Sequence, residues 1–67
     1  MPIQVTAEVL EGLNAVRESG LTNMFVRTRV ADIAGELGFD ATADWIRQYP
    51  EKYKQGIFDG FEEEEEL

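Results

Sequence analysis

The sequence contains neither cysteine nor histidine. Without cysteine there is no disulfide and no thiolate chemistry. Without either residue, the usual zinc ligand sets are missing, along with the commonest general base and the best nucleophile. Serine occurs once, at Ser19, beside a glycine that reads as a helix end. No apolar run exceeds three residues, far short of the ~20 needed to span a bilayer. The first ten residues, MPIQVTAEVL, lack the basic start and apolar stretch of a signal peptide. No glycine-rich phosphate loop precedes a helix. These absences argue against an enzyme and lead to an expectation of no catalytic residue, no cofactor, no metal and no small-molecule substrate. Together with the lack of cysteine, they fit a cytoplasmic protein.

Length sets the next bound. Sixty-seven residues make at most one domain. So short a chain buries only ~60% of its unfolded surface, which leaves little stability to spare. Small domains usually add a staple or a partner, and staples are excluded here. Self-association as a homodimer is therefore expected.

What is present is negative charge. Fourteen acids stand against six bases, a net charge of −8. Five of the acids form the run Glu62–Glu66; the remainder of the chain has nine acids against the six bases. Such a chain repels phosphate backbones and attracts basic protein surfaces. The glutamate run lacks the alternating ligands and turn glycine of a specific calcium loop. Like charges this dense repel one another, so residues 62–67 are expected to be a disordered acidic tail. Residues 1–61 are then the single small folded domain.

Periodicity within that domain is helical. Thr6 suits an N-cap, and Val9, Leu10, Leu13 and Val16 share a stripe over 7–19, ending at Gly20 with Leu21 as the accompanying apolar contact. Met24 and Phe25 are apolar within the connector and are expected to plug the core. A second helix over 28–37 uses Val30, Ile33, Ala34 and Leu37, with Gly38 as its stop and Phe39 folding back. Asp40 suits a cap for a third helix over 41–49, with inner residues Ala41, Trp45, Ile46 and Tyr49. Pro50 stops that helix and opens a fourth over 50–59, with Tyr53, Ile57 and Phe61 on one side. Residues 1–5 alternate weakly as Ile3, Gln4, Val5; a frayed terminus is the plainer reading and a short extended arm the alternative. The fold class is all-α, a bundle of three to four short helices.

Two mid-helix glycines cost helix propensity, ~1 kcal/mol each relative to alanine. Gly12 and Gly56 both flank an apolar stripe and suit a close approach between elements. Gly35 faces away from its stripe and suggests no such role.

The stretch RVADIAGELGFDATADWIRQ (residues 29–48) has the outline of a helix-turn-helix, with Ala34 and Gly38 as the small residue and the turn glycine. DNA recognition needs a second helix rich in polar and basic groups. Here Arg47 is the only cation, against Asp40 and Asp44. Asp44 also stands where an aliphatic anchor is needed, one residue before Trp45. Arg27, Arg29, Arg47, Lys52 and Lys54 read as surface charge, partly balanced by Asp32, Glu36 and Glu51. Nucleic acid is therefore not the expected partner. A small helix-turn-helix-like DNA-associated regulator remains the alternative.

The leading expectation is a protein-binding module. Seven aromatics are more than four short helices easily hide. Phe58 lies off the Tyr53–Ile57–Phe61 stripe and is expected at an interface. The candidate protein-binding residues are Phe58, Phe61, Glu62, Glu63, Glu64, Glu65 and Glu66, and the expected partner carries a basic surface.

The segments VLEGLNAVRESGLTNMF, VADIAGELGF and WIRQYPEKYKQGIFDGF, covering Val9 to Phe61, resemble a family of small uncharacterised proteins carried by bacteriophages and prophages, mainly of Gram-positive bacteria. SGLTNMF (Ser19–Phe25) is the most specific element. Val26 departs from the pattern, in which an aspartate often stands to cap the next helix, so that helix either uses Thr28 as its cap or begins earlier. The resemblance implies a phage accessory protein in a bacterial cytoplasm, with the sharper expectation that it inhibits a host defence or nucleic-acid-handling enzyme. It transfers no catalytic residue.

Overall fold

The computed structural model describes residues 1–64. Along the chain lie β1 (Ile3–Val5), α1 (Ala7–Ser19), α2 (Arg27–Glu36), α3 (Asp40–Gln48), α4 (Pro50–Asp59) and β2 (Phe61–Glu63). The architecture is an all-α bundle of four short helices with a small two-stranded sheet at its ends.

Local chemistry sets the helix limits. The Thr6 hydroxyl accepts the Val9 N–H at 3.3 Å and opens α1 as an N-cap. At the other end Ser19 Oγ donates to the Val16 carbonyl at 2.6 Å and accepts the Leu21 N–H at 3.2 Å. This turn carries the chain outward, so Leu21 is 61% exposed rather than packed on the helix as expected. α2 begins at Arg27, earlier than expected. Val26 occupies the cap position without a side-chain bond, and Thr28 caps nothing. The turn feeding α2 is built by Asn23, whose side chain accepts the Phe25 N–H at 2.8 Å and whose carbonyl accepts the Val26 N–H at 3.0 Å.

The α2–α3 corner is a Schellman turn. Phe39 N–H donates to Ala34 O at 2.8 Å and Gly38 N–H to Gly35 O at 3.1 Å, which satisfies carbonyls the helix end leaves open. Gly38 sits at φ 93°, a conformation that disfavours a side chain. Phe39 folds back and packs against the core as expected. The reversal is tight enough that Leu37, though on the right stripe, lies past the last full turn and stays exposed. Asp40 falls inside α3 instead of capping it.

The core is formed by Val5, Val9, Leu13, Val16, Val30, Ala31, Ile33, Ala34, Ala43, Ile46 and Tyr53. α3 faces it through Thr42, Ala43 and Ile46; of the expected stripe Ile46 is buried and Trp45 packs against the core from its edge, while Thr42 and Ala43 replace Ala41 and Tyr49. The rotation has a cause on α1. Gly12 leaves a gap that Thr42 fills, and a Cβ on Gly12 would overlap both Thr42 and the Phe39 Cβ. The fully buried Thr42 hydroxyl lies 3.3 Å from the Glu8 and Val9 carbonyls of α1, so its polarity is satisfied. Tyr49, which joins α3 to α4, is left exposed.

The N-terminal residues are not frayed. β1 pairs in parallel with β2, in the register Ile3↔Phe61, Gln4↔Glu62, Val5↔Glu63. Ile3 N–H donates to Gly60 O at 2.9 Å, and Glu64 N–H donates to Val5 O at 2.7 Å. Val5 reaches the core and Ile3 packs against it. Glu62 and Glu63 therefore belong to a strand and not to a tail, so the expected boundary after Phe61 falls inside β2. The expectation of disorder at Glu65, Glu66 and Leu67 lies outside the described residues.

Candidate functional site

The aromatic residues separate into two groups with different surroundings. The first packs on the bundle, with Tyr49 its one exposed ring. Phe61 begins β2 and turns its ring onto α4, into space left free by Gly56, where a Cβ would collide with the ring. The ring meets Trp45 edge-on, with centroids 6.0 Å apart, and Tyr53 at 5.8 Å. Trp45 in turn lies 5.8 Å from Tyr49, and Lys52 Nζ sits 4.9 Å from the Tyr49 ring centre. Phe61 thus fastens β2 to the bundle and is partly covered by doing so, while still lining the groove between α1 and α4.

Tyr53 anchors the connector. Its side chain is 2% exposed, and its hydroxyl donates to the Met24 carbonyl at 2.6 Å. Burial pushes its phenol up to about 12. With Met24 tied down and half-buried, the next residue points away from the core. Phe25 is accordingly 68% exposed instead of plugging the core as expected.

Phe25 meets the second aromatic group outside. Phe58, 72% exposed on α4, stands edge-to-face with it at a centroid separation of 6.1 Å and an interplanar angle of 62°. Phe58 was legible from its position off the α4 stripe. Phe25 was not, because its orientation depends on the Tyr53–Met24 bond, 29 residues apart in sequence, as well as on the local Asn23 turn.

Shallow grooves border this ridge. One, about 340 Å³, runs from Phe25 and Phe58 across Pro50 and Ile57, with Arg27, Glu51 and Lys54 along it. Another, about 270 Å³, lies between α1 and α4 and includes Leu10, Arg17, Met24 and Ile57. Phe25 and Ile57 line both.

The acidic candidates lie on β2 and just after it. Glu62, Glu63 and Glu64 are exposed, and Gln4 Nε2 donates weakly to Glu62 Oε1 at 3.4 Å. Asp59, at the end of α4, accepts from Gln55 and from the amino terminus; these contacts, the Gln55 bond first, hold its carboxyl below the usual range. Glu65 and Glu66 lie outside the described residues. Among the described residues no cluster of three carboxylates is close enough to hold a metal ion, and no helix is long and apolar enough to cross a membrane.

Arg47, the only cation of α3, is paired with Asp32 of α2 at 3.1 Å. Asp44 is exposed, consistent with its poor fit as an anchor.

No curated protein and no solved structure shows significant similarity to the chain. Residues 5–61 match the family DUF5049, a domain of unknown function. The match begins at Val5, the last residue of β1, and ends at Phe61, the first of β2, so it takes in all four helices. The chain belongs to the DUF5049 family.

Proposed function

We propose that the protein is a non-enzymatic binding module that grips another protein, and that it serves as an accessory protein of a phage or prophage inside a bacterial host. The observation that carries the binding reading is the Phe25–Phe58 pair. Two large rings standing in solvent on a domain this small forgo burial that the core needs. Exposed apolar surface of this kind marks interaction sites. Aromatic residues beside a groove are also the usual energetic centre of a protein interface.

The phage setting is supported by the resemblance of SGLTNMF and its flanking helices to phage-borne proteins. The sharper reading is inhibition of a host defence or nucleic-acid-handling enzyme, with carboxylates occupying its basic groove. It is supported by the net charge of −8 and by the exposure of Glu62, Glu63 and Glu64 on β2.

Affinity capture from infected bacterial cells, with wild type and Phe58→Ala run side by side, tests the proposal. At least one protein should be retained by wild type and lost with the variant. Identical recovery by the two would remove the aromatic ridge from the binding role. Retardation of random duplex DNA at low salt, abolished by Arg47→Glu, would favour the regulator instead.

A further inference from the structure

We propose that the grooves beside Phe25 and Phe58 receive an acidic segment bearing apolar side chains, contributed by a partner protein. The inference rests on the binding-module reading and assigns the chemistry of what this face holds.

Charge is distributed against the overall composition of the chain. Three of its six bases, Arg17, Arg27 and Lys54, line these grooves, with Glu51 as the only acid among the described residues to do so. Among the described residues none of the three has an ion-pair partner. The ion pairs among the described residues are Arg47–Asp32 and the amino terminus with Asp59. Arg17 donates to the Asn14 amide oxygen at 2.6 Å and Arg27 to the Ile46 carbonyl at 3.4 Å, both uncharged acceptors. Of the three bases outside the grooves, Arg47 has its carboxylate and Lys52 its aromatic ring, while Arg29 has no ion pair among the described residues.

Uncompensated cations beside an apolar floor complement a ligand with carboxylates beside apolar groups. Guanidinium groups suit carboxylates because their paired N–H donors match the two oxygens. Phe25, Ile57 and Phe58 supply contact for aliphatic or aromatic anchors. The overall negative charge of the chain does not cancel this attraction. At physiological salt the screening length is ~8 Å, so acids farther than that from the grooves are largely screened.

The test is fluorescence anisotropy at physiological ionic strength with two labelled peptides of equal length. One alternates Glu with Leu and Phe; the other has Lys in place of Glu. The Glu peptide should bind saturably. Phe58→Ala and Lys54→Glu should each weaken it roughly tenfold, while circular dichroism and melting temperature stay near wild type. The Lys peptide, drawn to the acidic strand, should be insensitive to Phe58→Ala.

Absence of saturable Glu-peptide binding would overturn the proposal, as would binding that neither substitution weakens. A Phe58-dependent dimer in light scattering that excludes the peptide would also overturn it, by making a second copy the occupant. If the Glu peptide fails while a captured cellular partner still depends on Phe58, this inference falls and the binding-module reading stands. If both fail, both fall.

Discussion

The ring of Phe61 occupies the space that a side chain on Gly56 would need. This relationship ties a strand residue to a helix glycine five positions earlier and closes the C-terminal end of the domain. Substituting Gly56 by alanine should therefore destabilise the protein, although alanine is the better helix former. The expected loss is ~1–3 kcal/mol, typical of overpacking in a filled interior. Gly12→Ala should behave alike, because Thr42 and Phe39 enclose its α-carbon. Gly35→Ala is the internal control. Its Cβ would meet only the Ala43 Cβ at 3.9 Å, an ordinary contact, so the propensity gain of ~0.5–1 kcal/mol should appear as a stabilisation. Urea unfolding of the three variants checks both signs.

Tyr53 supplies a pH signature. Its phenol titrates near 10 when exposed and is raised to about 12 in the folded chain. Between these values the native state holds a proton that the unfolded state releases, so stability falls as pH rises. The contribution is complete below pH 10 and is lost as pH climbs through about 12. Tyr53→Phe should remove that tyrosine's share of the alkaline slope. It should also cost ~1 kcal/mol at neutral pH, through loss of the hydrogen bond to Met24. Thermal melts of both proteins from pH 8 upward provide the comparison.

The helices were legible because their signals are local. Thr6, Gly20, Gly38, Pro50 and Gly60 bound them by their own backbone and capping chemistry, and α1 and α4 run over the expected spans. The close approaches at Gly12 and Gly56 were also readable, from glycines placed beside an apolar stripe. What escaped is nonlocal. Ile3 finds its strand partner 58 residues away, and three residues of weak alternation carry no hint of it. The face that α3 turns inward is set by the gap at Gly12, so its own periodicity pointed toward Tyr49 and missed Thr42. The same distinction divides the candidate site. Phe58 could be placed on the surface from its angle on one helix, whereas the positions of Phe25 and Phe61 depend on residues from other elements.

The strand pair changes how the acidic segment must be tested. Cutting the chain after Phe61 removes the backbone of Glu62, Glu63 and Glu64, which β1 uses for its register and for the bond from Glu64 N–H to Val5 O. Truncation would then loosen the fold along with removing charge. Replacing Glu62–Glu66 by glutamine keeps the backbone and removes only the carboxylates. If those carboxylates hold a basic partner, the replacement should weaken binding and flatten its dependence on salt, with little change in melting temperature. Titrations at two ionic strengths measure this directly, and an unchanged salt slope would exclude the carboxylates from the contact.

Phe58 separates stability from binding most cleanly. The ring is largely in solvent and touches Phe25, which is equally exposed, so its removal leaves no cavity in the core. Phe58→Ala should alter unfolding free energy by less than ~1 kcal/mol, as for other surface positions. Tyr53→Ala, at a residue almost fully enclosed, should cost ~3–5 kcal/mol and unfold much of a domain this small. With the ridge assigned to a partner protein, any self-association should use another face, so light scattering at two concentrations should give the same association state for wild type and Phe58→Ala. A large drop in stability on Phe58→Ala would instead mean that the ring supports the fold.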